Sequence, residues 1–226
     1  MRTPAILIAV SCLIRVSVAL GQTGTPIENA STAYLREERA AADELLKQLE
    51  IAIRRAEGKP ALRAALMTLQ DEKTRFEERG WIPWSAPMRK HSFDYLRRIN
   101  LAREKLTAIY EGQVESLARG QQINEAEGLR TKLKELIEPE IVAEWSFLEG
   151  DRTDRLQLRS DGTRADKKGA TWTMRPDGFM IKFQRWTTIC VVSEDGTTFV
   201  GKSNQGQTPT GRLLIEESPG DSQRNQ

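Results

Sequence analysis

The apolar residues of this chain follow two different rhythms, and the change falls at Pro139. Upstream they recur every three, four or seven positions, which places them on one face of a helix. Downstream they alternate, which is the period of a half-buried strand. One chain cannot satisfy both rhythms with one kind of element. The expected class is therefore α+β: N-terminal antiparallel helical hairpins or a bundle, then a small antiparallel β-meander, as a curled sheet or partial barrel.

Four helices are expected between residues 31 and 139. The first runs from about Ser31 to Glu57, with Leu35, Ala42, Leu45, Leu49 and Ile53 facing inward. Gly58-Lys59-Pro60 breaks it and opens a second, from Ala61 to about Arg79, carried by Leu62, Leu66, Leu69 and Phe76. So short a break favours an antiparallel hairpin of coiled-coil character. Gly80-Trp81-Ile82-Pro83-Trp84-Ser85-Ala86-Pro87 reads as a loop. The third helix is expected from Ser92, as N-cap, to Gly120, with Phe93, Leu96, Ile99, Leu106, Ile109, Tyr110, Val114 and Leu117 on its apolar side. The fourth spans about Asn124 to Glu138, where Asn124 and Glu127 have capping-box spacing.

Beyond Pro139 seven strands are expected, at 141–147, 155–160, 170–174, 179–183, 186–193, 197–202 and 211–215. Asp161-Gly162, Asp177-Gly178 and Asp195-Gly196 supply the positive φ that tight hairpin turns need. The β module is thus 140–215. It is small for a closed barrel, so the helices are expected to cover its apolar face.

The ends carry their own signals. Arg2 followed by the mostly apolar Ala5–Leu20, then Ser17, Ala19 and Gly21, reads as a signal peptide over 1–21, cleaved after Ala19 or Gly21. The expectation is an exported chain, periplasmic or secreted, with no membrane span after cleavage. Residues 22–30 read as a flexible leader and 216–226 as a disordered tail. Removing Arg2 and Arg15 from 34 basic residues leaves 32 against 32 acidic ones. The pI near 8.6 therefore carries no implication of nucleic-acid binding. Once Cys12 leaves with the signal, Cys190 has no partner within the chain and is expected to be a buried, inert thiol.

The motifs of the second half resemble a known type. Leu106-x3-Tyr110, Leu117-Ala118, Gly120, Glu125-Ala126 and Leu133 precede Trp145, Leu158, Asp161-Gly162-Thr163 and Thr171-Trp172. Asp195-Gly196-Thr197-Thr198-Phe199, Gly201 and Gly206 follow. Over roughly residues 100 to 215 this resembles exported proteins of planctomycete-like bacteria, in which a signal peptide precedes a helical segment and a compact β module. The β part is also similar to lipocalin-like modules. The resemblance implies a fold and no defined activity, and seven strands fall short of an eight-stranded lipocalin cavity.

Candidate chemistry is sparse. His91 is the single histidine, which excludes two-histidine zinc sites within one chain. The pairs Glu37-Glu38, Asp43-Glu44, Asp71-Glu72 and Glu77-Glu78 alternate with Arg and Lys and read as solvated, salt-bridged faces. Asp151, Asp154, Asp161 and Asp166 lack the calcium-loop pattern and read as turn residues. No cofactor or metal is expected. Trp81 and Trp84 in the Pro-rich loop, with Trp172 and Trp186 in the strands, are the candidate ligand-binding residues, for stacking on a sugar or an apolar molecule. The competing role for each is core packing.

The expectation from these residues is an exported, non-catalytic binding or scaffolding protein, its helices offering a surface for self-association or a protein partner. The alternative is a β module that binds a glycan or small apolar ligand through tryptophans. The third is a hydrolase, which would need two close carboxylates in a cleft between the halves.

Overall fold

A computed structural model of the chain describes residues 24–214. The signal segment expected at 1–21 and the tail expected at 216–226 lie outside the described residues.

The first helix, α1 (Pro26–Ala56), begins ahead of Ser31, so residues 26–30 belong to the helix and not to a leader. The cause is a capping box. The Glu28 N–H donates to Thr25 Oγ1 at 3.3 Å, and the Thr25 N–H donates to Glu28 Oε2 at 2.8 Å. Pro26 occupies the first turn, where its missing N–H costs nothing. A 3₁₀ turn, Pro60–Leu62, leads into α2 (Arg63–Arg79), which ends on Gly80 at φ 70°.

Helix α3 (Arg89–Arg119) starts one turn before the expected cap. Ser92 lies inside it, and its hydroxyl donates to the Pro83 carbonyl at 2.8 Å, so it pins the loop and does not cap the helix. In α4 (Ile123–Leu136) the N-cap is Gln122, and Asn124 forms no capping box. Helices α1 and α3 are each 31 residues long, about 46 Å at 1.5 Å per residue. They run antiparallel: Ser31 meets Tyr110, while Glu37 pairs with Arg98. The buried face of α1 is Tyr34, Ala41, Leu45 and Leu49. Leu35, expected inward, is 50% exposed, and Ile109 is 43% exposed.

Seven strands follow: β1 (Ile141–Glu149), β2 (Arg152–Arg159), β3 (Ala170–Arg175), β4 (Gly178–Phe183), β5 (Trp186–Val192), β6 (Thr198–Ser203) and β7 (Thr210–Leu213). They form one antiparallel sheet in the order β2-β1-β7-β6-β5-β4-β3. This is an up-and-down meander curled until β7 reaches β1.

A parity argument explains the one long connection. An odd number of alternating staves would bring β1 and β7 together in parallel, yet they pair antiparallel. Residues 160–169 supply the missing stave. Arg164 bridges Leu158 of β2, and Thr163 bridges Thr171 of β3. The two edge strands are thus tied through a two-residue step, which leaves little open edge.

The interior of the curl is solid. Trp145, Leu156, Leu158, Phe179 and Cys190 are 0% exposed. The same apolar cluster takes in Ala41 of α1, Leu96 and Ile99 of α3, and Ile82 and Trp84 of the loop between α2 and α3. Helices and sheet therefore share one core, with Ile82 and Trp84 of the loop between them. Gly211 is needed inside it: an added Cβ would lie 2.2 Å from a Phe199 ring carbon.

Candidate functional site

The loop after α2 carries the first two candidate tryptophans and separates them. Trp84 is 1% exposed and enters the sheet. Its ring meets Trp145 edge-on at 5.4 Å, Phe179 at 5.5 Å and Trp172 at 6.1 Å. Trp81 is 9% exposed and carries the Arg79 guanidinium 5.5 Å above its ring. Trp172, 4% exposed, sends its indole N–H to the Arg159 carbonyl at 2.8 Å. It also floors a groove of about 610 Å³ walled by Phe93, Leu96, Leu101 and Met174. Trp186 is half-buried at the start of β5, opposite Phe183.

What holds the loop in place is a carboxylate that the sequence pattern assigned to solvent. Glu72 of α2 is 2% exposed. It accepts the N–H of Trp84, the N–H of Ser85 and the hydroxyl of Ser85, each at 2.6 Å. Burial raises its pKa, against the pull of those hydrogen bonds. Arg89 completes the knot by donating to the carbonyls of Trp84 (2.9 Å), Asp177 (3.4 Å) and Ser193. It thereby ties α3 to the β3–β4 and β5–β6 turns. Gly196 of the second turn is so close that an added Cβ would sit 2.5 Å from Ser85 N.

The polar groups that reach open space gather elsewhere, in a cleft of about 440 Å³ at the Pro139 join. Residues of α1, α3, α4, the link before β1, β1 itself and the end of β2 line it. Tyr34 and Glu38 come from α1, Tyr95 and Arg103 from α3, Glu140 from the link to β1, and Ser160 from the end of β2. The Tyr34 hydroxyl donates to Glu38 Oε1 at 3.1 Å. Arg103 donates to Asn100 Oδ1 at 2.6 Å and to Ser160 Oγ at 3.1 Å, and its Nε is buried without a hydrogen-bond partner. The Ser160 N–H donates to the Glu140 carbonyl at 2.9 Å, which fixes the floor.

The electrostatics of this cleft are perturbed from several sides. Burial, then the neighbouring Glu38, pushes the Tyr34 phenol up to about 12. Tyr95 is raised as well, first by burial and then by Glu38 and Glu140. The Glu38 carboxyl is raised by burial and by the charge of Glu140, while the Tyr34 hydrogen bond and Arg103 pull it down. Glu135 and Glu138 stand at the mouth. Acids thus outnumber the one guanidinium, and the cleft repels anions.

None of these six residues was singled out for a site by the sequence pattern, because they are spread over segments far apart in the chain. Tyr34 falls next to the residue that the helical stripe selected. Glu38 and Arg103 look like ordinary face charges.

The other candidates find local partners. Asp161 Oδ1 accepts the Thr163 N–H at 2.9 Å and its hydroxyl at 2.7 Å, and Asp166 pairs with Arg164. Among the described residues no group of three or more His, Cys, Asp or Glu could hold a metal ion. Cys190 is buried, and burial pushes its thiol up to about 12. No helix among the described residues is long and apolar enough to cross a membrane. Compared with known proteins, the chain matches no family model, no curated protein and no solved structure.

Proposed function

We propose that this is an exported, non-catalytic binding protein whose Pro139 cleft holds one ring of a neutral or amino sugar. The observation that supports it best is the convergence of the Arg103 guanidinium, the acceptors Glu38 and Glu140 and the phenol of Tyr34 on one cleft. Sugar hydroxyls both donate and accept, so they can meet carboxylates and a guanidinium within one small volume. The acidic mouth favours a neutral or cationic ring over an anionic one. The solid interior of the sheet supports a site outside it, since Trp84, Trp145 and Phe179 leave no room for a ligand there.

Calorimetric titration with glucose, N-acetylglucosamine, glucosamine and glucuronate, and with β-linked tetramers of the first two, tests this reading. A neutral or amino sugar is expected to bind, glucuronate is not, and Arg103→Gln is expected to weaken binding at least about tenfold. If no sugar binds, or if glucuronate binds best, the reading is wrong.

A second reading has a specific observation in its favour. Burial and the neighbouring charge of Glu140 raise the Glu38 carboxyl, and a raised carboxyl near a second acid is the equipment of glycoside hydrolysis. Release of reducing ends from the same tetramers, abolished by Glu38→Gln, would favour it over simple binding.

A further inference from the structure

Strands β3 to β7 contain no aspartate or glutamate; their charged residues are Arg175, Lys182, Lys202 and Arg212. The outward face of β4, β5 and β6 is also apolar. Val191 of β5 is the register partner of Val200 of β6, and they are 49% and 60% exposed. Ile189, 38% exposed, lies between Met180 and Lys202. Leu148, 43% exposed, extends the Val row through Thr210. Burying such side chains stabilises a chain, so neighbouring valines and isoleucine left in water on one face point to an occupant.

Exposed cations surround this patch. Lys182, Lys202, Arg185 and Lys168 are exposed and form no ion pair among the described residues. Half-buried Trp186 lies beside Arg185 at the end of β5 nearest the unpaired cations.

We propose that this face docks on an anionic lipid surface. The valines and isoleucine would enter the boundary between headgroups and acyl chains, and the lysines would meet the anionic headgroups. Charge complementarity argues against one protein occupant, a second copy of the same face with its strands running in the same direction. Such a dimer would set Lys182 and Lys202 against cations with no acid in the strands to neutralise them. A purely anionic polymer would satisfy the lysines and leave the Val191–Val200 pair in water.

Co-sedimentation of the chain from Gln22 to Gln226, which contains every described residue, tests this. The vesicles are phosphatidylcholine alone or mixed in equal parts with phosphatidylglycerol. The protein is expected to sediment with the mixed vesicles at low salt and to be released by salt, and to ignore phosphatidylcholine. Val191→Thr with Val200→Thr keeps strand-forming residues, and Lys182→Glu with Lys202→Glu is a surface change. Each pair is expected to reduce partitioning about tenfold with an unchanged near-ultraviolet circular dichroism spectrum. Partitioning unchanged in both variants overturns the proposal. So does sedimentation equilibrium showing a dimer that the valine variant dissociates, or binding to dextran sulfate that displaces the vesicles and ignores the valine changes.

Discussion

The carboxylate of Glu72 on α2 accepts the main-chain N–H of Trp84 at 2.6 Å, and this contact helps fix where one of the three tryptophans of the shared core enters the sheet. Replacing Glu72 by Ala leaves two backbone donors and a hydroxyl unsatisfied in a buried place, at a cost on the order of 3 kcal/mol. Urea unfolding should show that loss, with Glu72→Gln losing less because its amide oxygen still accepts.

Glu72 also gives the protein a pH signature. Its folded pKa is raised above its unfolded value. Its contribution is therefore fully present below the ordinary carboxylate pKa and is lost as pH rises through the raised one. The difference in stability between the wild type and Glu72→Gln should shrink or reverse toward neutral pH. A pH-independent difference between about 4 and 8 would contradict the assigned burial.

Trp84→Ala removes the ring that packs on Trp145, Phe179 and Trp172. Substitutions of this kind cost about 3–5 kcal/mol. Because helices and sheet share that core, far-ultraviolet circular dichroism and tryptophan fluorescence should lose their midpoints together. A sheet that melts while the helices persist would show two independent cores.

Gly196→Ala tests the contact between the β5–β6 turn and the loop. The residue sits at φ +75°, and its added Cβ would meet Ser85 N at 2.5 Å and Trp84 C at 2.6 Å. A loss of at least about 1–3 kcal/mol is expected. Gly58→Ala has the same sign of φ but nothing within 4 Å of the new Cβ, so thermal unfolding should find it milder.

Cys190 has a thiol pushed up to about 12 by burial, so little thiolate exists at neutral pH. A chromogenic disulfide reagent should leave it untouched in the folded protein and titrate it fully in denaturant. Fast reaction in the native state would mean that the interior of the sheet opens readily.

The elements themselves were legible in the sequence. The seven strand segments and the break at Pro139 agree with the structure because alternation and Asp-Gly turns are local signals; Gly162 and Gly196 take positive φ of 82° and 75°. Helix starts were less legible, since Thr25 and Arg89 owe their roles to a capping box and to contacts with distant turns. The eighth stave was hidden because two bridging residues carry no periodicity.

The candidate site was illegible for a different reason. Glu72 and Glu38 belong to acid pairs with the same sequence pattern as Glu77, which does pair with Lys73 in solvent. Only tertiary packing separates the buried acid, the cleft acid and the surface acid. The cleft itself assembles from residues more than a hundred positions apart, and no spacing rule spans that distance. Trp172 and Trp84 were legible as important, and packing explains why they are aromatic.

The claim on which this account turns is that the Pro139 cleft is a ligand site and not a packing remnant. The guanidinium of Arg103 is its most direct reporter, because it lines the cleft together with Glu38, Glu140 and Tyr34. Arginine-side-chain ¹H–¹⁵N spectra recorded while N-acetylglucosamine, glucosamine or chitotetraose is added should shift the Arg103 resonance saturably. Glu38→Gln should weaken that shift. An Arg103 resonance that stays fixed while other resonances report sugar binding would place the site elsewhere and contradict the account.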